Sequence, residues 1–90
     1  MSNVWIFNGE NSRFASAVFT DIEKAEAWIL KNRLSGVLTL YPVDIGAYDW
    51  AVEKGYFKPK EPKHVLPEFI GKFTTTSQEH YHFEDGKCDR

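Results

Sequence analysis

Residues 4–29 read VWIFNGENSRFASAVFTDIEKAEAWI, and the succession of patterns in this stretch decides the fold class. Val4 to Phe7 is a β-prone run, with Val4 and Ile6 on one side and Trp5 and Phe7 on the other. Asn8 to Ser12 is a turn cluster, and its Asn-Gly pair supplies the positive φ of a tight reversal. Arg13 to Phe19 alternates again, so the two runs predict a β-hairpin. The period then changes. Thr20 stands three residues before Glu23, the spacing of a capping box, and Asp21 and Glu23 place negative charge at the positive end of a helix dipole. Ile22, Ala25, Trp28 and Ile29 recur at helical spacing and form a core-facing stripe, with Lys24, Glu26 and Lys31 on the wet side. Gly36 is the expected stop.

Outward from this unit, Val37 to Tyr41 reads as a third strand ended by Pro42. Asp44 reads as the cap of a second helix, with Val43 and Tyr48 as a hydrophobic staple, Ile45, Tyr48, Ala51 and Val52 as its apolar stripe and an end near Gly55. Residues 57–67 hold three prolines and three lysines, which excludes regular helix or central strand and predicts a long surface loop. Pro67 can open a short helical turn, and Phe73 is a core candidate. Glu79 to Glu84 reads as the last strand, with Tyr81 and Phe83 on one face and His80, His82 and Glu84 on the other. The expected architecture is α+β in the order β-β-α-β-α-β, two helices packed on one face of a mostly antiparallel four-stranded sheet. A right-handed crossover through the first helix would set the second and third strands parallel. The expected organisation is one globular domain over residues 1–86, followed by a flexible tail at 87–90.

Composition narrows the function classes. The chain has 90 residues, with 42% hydrophobic, 27% charged and an unusual 16% aromatic. That size bounds it to one domain, and the balance excludes a disordered tail. A formal charge of −2 argues against a nucleic-acid binder, although Lys54, Lys58, Lys60 and Lys63 are the residues such a reading would use. The lone Cys88 excludes an internal disulfide framework and reads as a tail thiol. No leader pattern opens the chain, and its longest apolar stretch is too short to cross a bilayer, so the expectation is cytoplasmic with no membrane partner.

Two groups of residues invite chemistry. On a strand His80 and His82 project to one face about 7 Å apart, and Glu84 could complete a metal site. The corresponding function would be a metal- or small-ligand-binding enzyme, while the competing account is a solvated strand face. Asp44 and Asp49, near a strand end and helix start, could serve as paired acids, while capping explains Asp44 without catalysis. No nucleophile elbow, phosphate loop or zinc-protease motif is present, and no catalytic residue or cofactor is assigned. The aromatics exceed what one inward face absorbs. Trp5, Phe7, Asp44, Tyr48, Asp49, Trp50, Tyr56 and Phe57 are the expected interaction surface, since Trp and Tyr dominate contact hot spots. The partner would be a protein or a second copy of the chain.

Several segments are familiar together. Trp5-Ile6-Phe7-x-Gly9, Tyr41-Pro42-x-Asp44-x-Gly46-x-Tyr48-Asp49-Trp50 and Ser77-Gln78-Glu79-His80-Tyr81-His82-x-Glu84-Asp85-Gly86 resemble a family of small uncharacterised bacterial domains of unknown function. The resemblance spans nearly the whole chain and implies no activity. By size and composition alone the chain is also similar to immunity proteins, which neutralise toxins. The reading that follows is a non-catalytic protein-interaction module, an immunity or regulatory protein among the options.

Overall fold

The computed structural model describes residues 2–88. Five strands form one sheet: β1 (Asn3–Gly9), β2 (Ala15–Phe19), β3 (Gly36–Pro42), β4 (His80–Glu84) and β5 (Lys87–Cys88). Their spatial order is β2-β1-β3-β4-β5, and every neighbouring pair is antiparallel. β2 and β3 flank β1 and therefore run parallel to each other without touching. Helix α1 (Ile22–Lys31) is the crossover that joins them. The sheet has five strands rather than the expected four because Asp85 and Gly86 both take positive φ, 52° and 86°. That is the backbone of a two-residue hairpin turn, and it folds Lys87 and Cys88 back onto Glu84 and Phe83. These two residues are thus strand rather than tail, while residues 89 and 90 of the expected tail lie outside the described residues.

Register assigns the faces. Trp5 pairs with Phe19 and Leu40, Phe7 with Ala17 and Leu38, and Leu38 with Tyr81. Opposed residues share a face, so these side chains form one inner surface. Against it α1 lays Ala25 and Ile29, both wholly buried, with Ile22 and Trp28 at the margin. The Trp28 ring meets Phe7 edge-on and Phe19 at a tilt, with centroids 5.9 Å and 5.7 Å apart. Burying one Phe or Ile in this way contributes about 1.5–3 kcal/mol. The outer surface carries Val4, Ile6, Val18, Val37, Thr39, His80 and His82.

The ends of α1 show how the helix is fixed. Its N-cap is Asp21, not Thr20: the Asp21 Oδ1 accepts the Glu23 N–H at 2.8 Å. At the other end Arg33 takes a left-handed φ of 54°. The Arg33 N–H donates to Leu30 O and the Leu34 N–H to Ile29 O, which is a Schellman stop built without glycine. Gly36, expected as that stop, instead opens β3 opposite Gly9. A Cβ on Gly36 would lie 2.2 Å from Asn8 O and 2.8 Å from Phe7 Cζ, so only glycine fits there. The β4–β5 turn then closes over the end of the helix. The Gly86 N–H donates to Leu34 O at 2.8 Å, and the Asp85 N–H donates to Ser35 Oγ at 3.0 Å.

A second hydrophobic centre lies outside the sheet core. Helix α2 (Ala47–Glu53) is preceded by Gly46, which caps without a side-chain bond. Asp44, expected as the cap, sits upstream in a left-handed turn with φ 67°. The α2 stop is a glycine Schellman motif: Gly55 (φ 80°) donates to Val52 O and Tyr56 to Ala51 O. A single 3-10 turn (Pro62–Val65) and the short helix α3 (Pro67–Gly71) follow, each opened by proline. Tyr48 packs with Phe57, Phe69 and Phe73 at centroid distances of 5.9, 6.3 and 5.5 Å. Of the two helices expected on the sheet, only α1 contributes to the sheet core; Tyr48 and Ala51 of α2 are buried outside that cluster. Two centres give an elongated outline of 44 × 29 × 21 Å. The radius of gyration is 14.3 Å, against about 12 Å for a compact chain of this length. Gln78 ties the connecting loop to the sheet: it is buried, and its Nε2 donates to Leu40 O at 3.2 Å.

Candidate interaction surface

The residues expected at an interface separate into two sets. Trp5, Phe7 and Tyr48 are buried, at 8%, 1% and 9% exposure, and cannot present a surface. Alternation had placed two apolar faces on β1 without saying which one α1 covers. α1 covers the face with the larger side chains, since Trp5 and Phe7 fill more of the space beneath a helix than Val4 and Ile6. Asp44 and Asp49 are exposed, Trp50 and Phe57 half-buried, and Tyr56 exposed. Trp50 and Tyr56 lie ring to ring at 5.3 Å across the end of α2. The Gly55 stop makes this contact by turning Tyr56 back over the helix.

The histidine pair keeps its expected face, His80 opposite Thr39 and His82 opposite Val37. The His80 and His82 rings approach edge-on at 5.3 Å beside a shallow hollow lined by Val37, Thr39 and Thr74 to Thr76. The His80 Nδ1 lies 2.8 Å from Gln78 O; a carbonyl only accepts, so Nδ1 carries the proton in this contact. Glu84, the expected third ligand, pairs in register with Lys87 and borders another hollow with Leu30, Arg33 and Asp85. Among the described residues no group of three His, Cys, Asp or Glu side chains is placed together as a metal-binding set.

The part of the molecule that sequence reasoning underestimated is the run from α2 to α3. Phe57, His64, Phe69 and Phe73 stack and tilt against one another at centroid distances of 5.0–6.0 Å. His64 sits in this cluster because its Nδ1 accepts the backbone N–H groups of Lys60 and Glu61, at 3.0 and 3.2 Å. One ring therefore organises the Pro/Lys segment that composition marked only as loop. The spacing of Phe69 and Phe73, four apart after a helix-opening proline, was the available signal. Phe57, Phe69 and Phe73, with Lys72, Thr74 and Thr75, line an open groove of about 370 Å³. Five of the eight exposed large hydrophobics of the described residues, Val52, Tyr56, Val65, Leu66 and Ile70, also fall in this run. That concentration separates it from the sheet half, where only Phe14, Val18 and Leu30 are exposed. Residues 54–72 carry five lysines and two glutamates in a chain whose net charge is −2. An ion pair there, Lys63 to Glu61 at 3.6 Å, is exposed and stabilises little.

The chain belongs to the family described as Domain of unknown function (DUF7710), whose profile matches residues 4–89. No curated protein and no solved structure matches it significantly.

Proposed function

We propose that the chain is a non-catalytic protein-interaction module that contacts its partner through the α2–α3 run. The partner is an acidic protein segment carrying an apolar anchor. The observation that carries this reading is the coincidence of exposed apolar residues, an aromatic groove and excess lysine in one run of an otherwise acidic chain. Clustered exposed apolar side chains are the usual mark of a contact surface, and Tyr, Trp and Phe supply its strongest anchors. The surrounding lysines favour acidic partners and speed encounter with them.

The test is affinity capture with the full chain and two surface variants, Tyr56→Ser with Leu66→Ser, and Lys58→Glu with Lys72→Glu. All four positions are exposed, so these changes leave the folded core intact. An acidic protein recovered at near-equal stoichiometry by the unmodified chain, and lost from both variants, is the expected result. Recovery of the same protein by the variants overturns the surface assignment. Recovery of nucleic acid with a steep salt dependence overturns the partner class.

A further inference from the structure

We propose that His80 and His82 form a two-histidine zinc site on the outer face of the sheet, independent of the α2–α3 surface. Both side chains project from β4 to the face that α1 does not cover, opposite Thr39 and Val37 of β3. Their ring centres lie 5.3 Å apart. Two imidazoles on one zinc ion, with Zn–N of about 2.0–2.1 Å and tetrahedral angles, hold their ring centres about 5 Å apart. The strand backbone thus sets the separation that one shared ion requires, and ring rotation completes the approach.

The proton of His80 is already placed for metal binding. Its Nδ1–H donates to Gln78 O at 2.8 Å, so in the neutral ring Nε2 carries the lone pair. A bond from the second ring nitrogen to a backbone carbonyl is what orients a metal-bound histidine and raises its basicity. That carbonyl belongs to a fixed residue. Gln78 is 1% exposed, its Nε2 donates to Leu40 O on β3, and its backbone N–H donates to Thr75 O. The hollow beside the rings is lined by Val37, Thr39 and Thr74 to Thr76, with no Lys or Arg among these described residues to oppose a bound cation. Imidazole nitrogens favour zinc over magnesium or calcium, which take oxygen ligands. Two protein nitrogens leave about half of zinc's tetrahedral positions for water or an incoming donor, so this is an open site rather than a closed structural centre. The threonine hydroxyls along the hollow can hydrogen-bond water held there.

Titration of the chelator-treated full chain with zinc chloride tests the proposal, read by calorimetry and by the histidine ring resonances. The expected result is one ion per chain, with the His80 and His82 resonances moving and those of His64 staying in place. His80→Asn and His82→Asn each weaken binding at least about tenfold, while Cys88→Ser leaves it unchanged. Asparagine keeps an N–H donor near the Nδ1 position, so the contact with Gln78 O survives in the His80 variant. The absence of saturation by about 1 mM zinc overturns the proposal. So does binding that neither histidine variant weakens, binding lost with Cys88→Ser, or binding that moves only the His64 ring.

Discussion

At the sheet centre Phe7, Ile29 and Leu38 are at most 1% exposed, and residues from β1, α1 and β3 meet there. In the ring cluster only Tyr48 is buried, while Phe57, Phe69 and Phe73 each keep a wet edge. The first centre is assembled from strands distant in sequence and an intervening helix. The second is assembled almost entirely from one run of chain. A core closed by non-local pairing has few ways to open in part, because every strand depends on its neighbour. A cluster of tilted rings over a Pro-rich segment has little secondary structure beneath it and opens locally. The sheet half therefore sets global stability, and the ring cluster shapes a surface.

This contrast is broken most severely by Phe7→Ala, which removes a wholly buried ring from the sheet centre. The expected loss is about 3–5 kcal/mol in denaturant-monitored unfolding. Gly36→Ala tests the same centre without removing an apolar atom. Its Cβ must displace Asn8 O and the Phe7 ring, and a loss of about 2–3 kcal/mol is expected by the same measurement. Phe69→Ala sharpens the difference. A half-buried ring is removed, so about 1–2 kcal/mol is expected, less than a core phenylalanine loses. Hydrogen exchange should then accelerate between residues 57 and 73 while β1 and β3 amides stay protected. Equal acceleration throughout would show that the two centres unfold as one. The smallest effect is at the helix cap. Asp21→Ala is expected to cost about 1 kcal/mol and Thr20→Ala close to nothing, read from the shift of the unfolding midpoint.

How much the sequence disclosed varies between the two halves for the same physical reason. Strong periodicity made the hairpin, the α1 stripe and the two faces of β4 legible. It left choices that depend on three-dimensional geometry undecided. Thr20 and Asp21 are both good caps, and only the backbone entry angle gives the carboxylate the Glu23 N–H. At Asp44 the chain needed a left-handed turn before the helix rather than a cap, which moved the helix start to Gly46. Alternation sets Trp5 and Phe7 on one side of β1 and Val4 and Ile6 on the other, and it stays symmetric until a helix covers one face. The ring cluster was hardest to foresee, since Phe57, His64, Phe69 and Phe73 converge through irregular backbone that has no period. β5 is too short to leave a pattern at all.

The turn at Asp85 and Gly86 has a consequence for the order of events as the chain is made. It supplies the hydrogen bonds that finish the link after α1, on Leu34 O and Ser35 Oγ. It arrives only after almost all the preceding residues have been synthesised. A nascent chain can form the β1–β2 hairpin and the first helix early, yet the end of that helix and the far side of β3 remain open. The open side of β3 is covered only when β4 pairs with it, and β5 then closes the sheet beyond β4.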